Sequence, residues 1–337
     1  MQSAKMPPTE QLPSFSLVLE TENLANAHLD SLTQSLASLA QQELPLTAAN
    51  EILMIDSGNT PASVLEALCD RYPWLKIHQA PASTGYYKAK MLGAALVTGE
   101  VVVYCDSDCT YEPQWLQHLL MPFAVRRDIQ VVAGETTTRG IGLYGTAMAI
   151  AYIFPQYSNT QSLAPTTQYF LNNVAFRREF LLKQPMPIAL PLYRGNCVIH
   201  ARHLQQQGYT IWQQPQARAA HAPPSDHSHF FWRFLLIGHD YYWQQQLLTK
   251  PASTMPPPNA VQSRNDDRES TTGFRGKLAI FCDRIQKMVR HDRRHLFYLP
   301  FALPIVIVSV LLIFAGYVIT AYRPDYLLKS YAHLLEG

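Results

Sequence analysis

Apolar positions along this chain follow two alternating rhythms. FSLVLE (15–20), EILMI (51–55), LKIHQ (75–79) and VVVYC (101–105) are short runs without helical period, and each predicts a largely buried strand. Between them Leu29, Leu32, Leu36 and Leu39 recur at helical spacing within 24–42, and helices are expected over 61–71 and about 86–97. Strands alternating with helices imply crossover units, hence an α/β domain with a mostly parallel central sheet. In such sheets ligands gather outside the carboxyl ends of the strands.

The rhythm stops near residue 248. Residues 1–14 read as a disordered arm and 15–248 as the α/β domain. Residues 249–274, with Pro256–Pro258 and few large apolar residues, read as a flexible linker that buries too little surface to offset its ordering entropy. Residues 275–295 form a basic helix carrying Arg275, Lys277, Arg284, Lys287, Arg290, Arg293 and Arg294. No charge occurs from Leu296 to Tyr322. At about 1.5 Å per residue that stretch exceeds the roughly 30 Å of a bilayer's hydrocarbon core. It is expected to be a single transmembrane helix, with Pro300 and Pro304 kinking its entry and 323–337 a short tail. The excess of Lys and Arg before it places the large domain in the cytoplasm and the tail outside. Two shorter apolar stretches, 141–154 and 229–243, read as either core helices or helices lying on lipid.

Composition agrees. Hydrophobic residues make up 47% and charged ones 15%, below the roughly quarter share of charge in a soluble domain. A net charge of +2 argues against nucleic acid as a partner. The five cysteines are odd in number and form no CxxC pair, which fits a reducing compartment better than a disulfide framework. The polar N-terminus has no apolar core of a secretory signal.

Chemistry concentrates at strand ends. Asp106-Ser107-Asp108 follows VVVYC, and alternation puts both carboxylates on one side of an extended backbone. Two such groups repel unless a cation lies between them, and hard oxygen ligands suit Mg²⁺ or Mn²⁺. A turn cap is the simpler use of the same tripeptide. Asp56 also ends a strand, as a ligand group or as a cap for the helix at Pro61. Lys90, with Lys88, lies on the helix before VVVYC, facing either phosphate or solvent.

Together these segments resemble family 2 glycosyltransferases, which have the GT-A (nucleotide-diphospho-sugar transferase) fold. The resemblance covers roughly 12–240. PSFSLVLETEN is similar to the family's opening strand and nucleotide loop, which implies Glu20 and Asn23 near the nucleoside, with Glu20 in place of the usual proline. ILMIDSGN implies base recognition by Asp56. GYYKAKMLGAALVTGEVVVYCDSD implies a nucleotide-side role for Lys90, ribose contact by Asp106 and metal ligation by Asp108. YFLNNVAFRREFL places Asn173 on the acceptor side, and QQGYTIWQQPQARAAHAPP carries a second metal-ligand role to His221.

One departure bears on catalysis. The family places an acidic pair before the helix leading to its G-Y-x-I segment, and the aspartate deprotonates the acceptor. Here LYRGNCVIHARHL puts Asn196-Cys197 there, and neither side chain serves as a carboxylate would near pH 7. Glu135, Asp226, Asp240 and His200 are the candidate replacements, while Arg194 and Asn196 stay on the acceptor side. The implied function is metal-dependent, inverting transfer from a nucleotide-diphosphate sugar to a membrane-proximal acceptor, such as a polysaccharide or glycolipid precursor. Membrane lipid and polysaccharide-assembly proteins are the other expected partners. The alternative is a non-catalytic nucleotide-sugar-binding or scaffold subunit of a polysaccharide machine.

Overall fold

The computed structural model describes residues 12–21, 29–58, 60–82, 84–249 and 274–336. Residues 1–11 of the expected arm, Asn23, and 250–273 of the expected linker lie outside this set.

The N-terminal half is built as its apolar rhythm requires. Strands β1 (Phe15–Glu20), β2 (Ile52–Asp56), β3 (Leu75–Gln79) and β4 (Val101–Cys105) lie in the order β3-β2-β1-β4, all parallel. Helices α1 (Leu29–Ala40), α2 (Ala62–Arg71) and α3 (Tyr86–Leu96) are the crossovers. Both faces of the sheet are covered, which is why the strands read as continuous apolar runs. Phe15, Leu17 and Leu19 pack with Leu32, Leu36 and Leu39 on one side, while Val18, Val102 and Tyr104 pack with Ala89 and Ala94 on the other. Gly93 lets α3 sit close, since a Cβ there would lie 2.3 Å from Val18 Cγ1.

The second half of the sheet departs from the mostly parallel expectation. Its elements are β5 (Cys109–Tyr111), α4 (Trp115–Val125), β6 (Val131–Thr138), α5 (Gly142–Ala151), β7 (Ala164–Thr166), β8 (Asn173–Arg177), α6 (Arg178–Lys183), α7 (Asn196–Gln206) and β9 (Ile211–His221). Strand order continues β4-β8-β6-β9-β5, with β7 also on β9. β8 runs antiparallel to both β4 and β6, β9 is parallel to β6, and β5 and β7 run against β9. The sheet is therefore mixed. Parallel neighbours need a crossover connection, but a helix between two strands does not impose one: α5 lies between β6 and β8 in sequence, and the two pair antiparallel. β9, IWQQPQARAAH, lacks the apolar run that marks a strand in sequence.

Helices α8 (His227–Thr249), α9 (Phe274–His291), α10 (Arg294–Tyr322) and α11 (Tyr326–Glu336) follow. α10 is long and apolar enough to cross a membrane, with a mean hydropathy of 2.7, and it keeps both prolines within its helix. It does not stand clear of the domain. α10 packs lengthwise on α5 and α8, and α11 folds back onto α8. The two shorter apolar stretches are thus helices α5 and α8, each buried on the side facing these neighbours.

Candidate active site

The carboxyl end of the sheet opens into a cavity of about 270 Å³ between the strand ends, α7 and α8. Asp106, Asp108, His221, Arg194, Arg233 and Asp240 all line it.

The first group forms where β5 pairs with β9. Their antiparallel register sets Cys109 opposite His221, and the Ala222 N–H donates to the Asp108 carbonyl at 2.9 Å. This brings residues 113 positions apart together: His221 Nε2 lies 3.2 Å from Asp108 Oδ2. The imidazole is held by Phe154, ring centroids 4.6 Å apart, and its Nδ1 faces the Ala222 carbonyl. A nitrogen against a carbonyl must carry the proton, so in the neutral ring Nε2 presents a lone pair to a carboxylate. Two acceptors facing each other repel unless a proton or a metal cation lies between them. A protein carbonyl fixing the far nitrogen is also the usual setting of a metal-binding histidine. The Cys109 thiol lies behind the pair, 3.8 Å from Asp108 Oδ1, and burial pushes its pKa well up, so it stays neutral. Asp108 and His221 fit a hard divalent ion and leave open positions for oxygen ligands.

The second group supports Asp106. Lys90 Nζ lies 2.7 Å from Asp106 Oδ1 and also donates to the Cys105 carbonyl, and the Tyr86 hydroxyl contacts both Asp106 oxygens at 3.0 and 2.9 Å. Burial works against the charged ammonium, but Asp106 and Glu20 outweigh it and hold the Lys90 pKa up. The expected phosphate contact of Lys90 is corrected here: the side chain is fully buried beneath Asp106 and does not line the cavity. Its charge instead orients and partly neutralises Asp106. Lys88 is exposed on the same helix. Replacing Lys90 with Met should cost about 3–5 kcal/mol in urea unfolding, because it strands the Asp106 carboxylate. A loss below 1 kcal/mol would show that the pair carries no such burden.

Asp56 is buried at the end of β2, accepting from the Thr21 hydroxyl at 2.7 Å and the Gly58 N–H at 3.2 Å. Glu20 is buried at the neighbouring end of β1. Both stand at the edge expected to meet a nucleoside.

The acceptor-side expectations change more. Asn173 is a clamp within the sheet: its amide donates to the Glu135 and Ala217 carbonyls at 2.9 and 3.0 Å and accepts from Trp115 at 2.7 Å. Asn172, its neighbour, is the one lining the cavity. Asn196 turns its amide to the Pro187 carbonyl at 2.7 Å, and Cys197 faces the cavity instead. Arg194 does line it, its guanidinium 4.3 Å from the Tyr86 ring centroid.

Three base candidates are removed by their surroundings. Glu135 lies on β6 away from the cavity lining and accepts from the Ser158 N–H at 3.0 Å. Asp226 is exposed and caps α8, accepting from the His229 N–H at 2.9 Å, which holds its pKa down. His200 is buried with both nitrogens engaged by Tyr169 and Gln184, and burial lowers its pKa to about 4. Asp240 is different. It reaches from α8 to the loop before α7, accepting from the Tyr193 and Arg194 N–H groups at 2.8 Å each. A Cβ on Gly195 would lie 3.9 Å from Asp240 Oδ2. A carboxylate from another helix thus stands beside the start of α7, where Asn196-Cys197 supply none. Burial raises its pKa to about 7, against the two N–H groups and the charges of Arg233 and Arg194.

Sequence reasoning missed Arg233. It lines the cavity, and its Nε donates to the Tyr152 hydroxyl at 2.8 Å. Its place in an aromatic helical stretch gave no signal of a cleft.

The model of glycosyl transferase family 2 matches residues 25–184, the part holding Asp56, Lys90, Asp106 and Asp108. That segment is similar to family 2 glycosyltransferases. Human polypeptide N-acetylgalactosaminyltransferase 15 is 28% identical over 120 residues, covering 35% of this chain and 18% of that protein. A Mycobacterium tuberculosis protein described as "Putative glycosyltransferases" is 34% identical over 74 residues, covering 21% of this chain and 22% of that protein. The chain thus spans about a fifth of the length of these relatives. Two solved structures share the GT-A fold. The mannosyltransferase PcManGT from Pyrobaculum calidifontis, in complex with GDP-Man and Mn²⁺, superposes with a TM-score of 0.54 at 15% identity, over 96% of this chain and 85% of its own. GalNAc-T7 with UDP, GalNAc and Mn²⁺ gives 0.51 at 16% identity, over 65% of this chain and 44% of that one. The fold class is GT-A, with an apolar C-terminal helix added.

Proposed function

We propose that this domain transfers a sugar from a nucleotide-diphosphate donor to a membrane-proximal hydroxyl acceptor, with inversion at the anomeric carbon. The observation that carries the reading is the meeting of Asp108 and His221 at the mouth of a cleft lined by Asp106, Arg194 and Asp240. Asp108 and His221 would hold Mn²⁺ or Mg²⁺, which offsets the negative charge that builds on a departing diphosphate. Asp56 and Glu20 receive the nucleoside, and Asp106, set by Lys90 and Tyr86, receives the ribose.

Asp240 takes the proton from the acceptor hydroxyl as its oxygen bonds to the anomeric carbon. The bond from that carbon to the diphosphate breaks on the opposite face, and the electron pair leaves with the phosphate oxygen. Arg194 and Arg233 offer positive charge within the same cavity. Five free thiols, Cys69, Cys105, Cys109, Cys197 and Cys282, support a domain working in the cytoplasm. The apolar face of α10 supports an acceptor held at lipid, among them polysaccharide or glycolipid precursors.

The test is thermal unfolding of the whole chain with a panel of UDP- and GDP-sugars, with and without Mn²⁺. A donor present at 100 times its Kd should add about 2.7 kcal/mol of stability, and only when the ion is present. No metal-dependent shift with any donor would sink the reading. Binding without donor hydrolysis or transfer would instead favour a nucleotide-sugar-binding subunit, as Asn196-Cys197 would allow.

A further inference from the structure

The packing of α10 raises a question that its length and hydropathy leave open. Its inward residues, His295, Ala302, Val306, Ser309, Gly316 and Thr320, run from one end to the other and are small or polar for such a helix. At the first end the Thr146 hydroxyl lies 2.7 Å from His295 Nδ1, and at the far end His239 Nδ1 lies 3.0 Å from the Thr320 hydroxyl. Between them the backbones nearly touch: a Cβ on Gly238 would lie 2.0 Å from the Ile313 carbonyl oxygen, and one on Gly316 would lie 2.0 Å from that of Leu235. The 25 helical steps from His295 to Thr320 span about 38 Å, more than the roughly 30 Å hydrocarbon core. α10 is therefore fastened to the catalytic domain along a length greater than a bilayer's interior.

A helix so fastened cannot cross the bilayer alone. Standing upright, it would draw α8 through the hydrocarbon, and with it Arg233, His239, Asp240 and the irregular loop at Pro191 whose carbonyl contacts His239. Charged groups and irregular backbone at that depth are costly. α11 adds a second constraint. It begins four residues after α10 ends, and its Tyr331 packs on Tyr193 and Trp232, ring centroids 5.3 and 5.5 Å away. Tyr193 lines the cleft. The segment after α10 is thus at the same place as the catalytic domain.

The outward side of α10 says what covers it. Phe297 and Phe314 are 72% and 66% exposed, and Phe301, Ile307 and Leu311 continue the stripe between them. Exposed cations stand at both ends, Arg290 and Arg293 before it and Arg294 in its first turn beside Asp292, then Arg323 and Lys329 after it, Lys329 beside Asp325. An apolar stripe with basic residues at each end matches one leaflet with anionic headgroups, entered lengthwise.

We propose that α10 lies in the plane of the membrane instead of across it, so that α9, the catalytic cleft and α11 all face the same compartment. The cleft then opens at headgroup level, beside Trp232, Tyr193 and Tyr331, and an acceptor reaches it by moving within the leaflet.

Sidedness of two thiols tests this on the full chain. Cys282 on α9 is a native exposed reporter, and Lys329→Cys in a Cys282→Ser background reports α11. Each is treated with a membrane-impermeant maleimide in intact cells and in sealed inverted vesicles, and an alkaline carbonate wash of the membranes follows the labelling. The expected result is that the protein stays with the membrane and both thiols react from one face only, the same face. Reaction from opposite faces would overturn the proposal in favour of a crossing helix. Release of the protein as a soluble dimer would overturn it in favour of a second copy covering the stripe. Neither outcome touches the donor-binding test, which reads a different site.

Discussion

Asp108→Ala should abolish the Mn²⁺-dependent stabilisation by a nucleotide sugar and lower transfer by about a thousandfold or more. The size follows from what the carboxylate holds. A cation at a departing phosphate is worth several kcal/mol of barrier, and each 1.36 kcal/mol is tenfold in rate. Removing Asp108 leaves His221 with no anionic partner within ion-pair distance among the described residues. His221→Ala should act on the same quantity, and the double variant should be no worse than Asp108→Ala alone, since the two hold one ion. Isothermal titration of Mn²⁺ against the donor-bound protein reads this directly. Unchanged metal dependence in Asp108→Ala would remove the ground for the site.

The second large effect belongs to Asp240. Asp240→Asn should lower turnover by about 10²–10⁴, the range of a lost general base, while donor binding with Mn²⁺ persists. The pH profile separates this from a scaffolding role. With the native carboxyl near pKa 7, the basic form grows as pH rises. The wild-type rate should therefore fall about tenfold per unit below 7 and level off above it. Asp240→Asn should lose that limb, and Asp240→Glu should restore part of the rate together with the limb. A structural role alone would lower the rate evenly at every pH.

Stability runs the other way. An ordinary aspartate titrates near 3.9, so between about pH 4 and 7 the folded state holds a proton that the unfolded chain has lost. The neutral carboxyl's contribution is present at low pH and fades as pH rises through 7. Urea midpoints of the wild type should decline across that window, and those of Asp240→Asn should decline less. A rate limb at 7 that survives in Asp240→Asn would mean another group carries it.

The composite nature of this site explains how much of it the sequence could disclose. β1 to β4 were legible because a strand buried on both faces must be largely apolar, and VVVYC is, as is FSLVLE apart from Ser16 and Glu20. Asp106 and Asp108 were legible because a polar pair after such a run sits at a strand's carboxyl end, where an α/β sheet collects ligands. Lys90 and Asn173 show the limit. Their types suit a phosphate and an acceptor, yet one is sealed beneath Asp106 and the other bonded across three strands. Residue type gives the possible chemistry, and burial decides whether it is used.

Local pattern alone thus determined the parallel half of the sheet, the carboxylate pair at its edge and the long uncharged helix near the C-terminus. Only tertiary structure joined Asp108 to His221, set Asp240 in the cavity lining and Glu135, Asp226 and His200 outside it, and laid α10 along α5 and α8. The reason is the same for each. Periodicity reports contacts between a residue and its near neighbours in the chain, whereas these depend on strand register and helix packing between segments far apart in sequence.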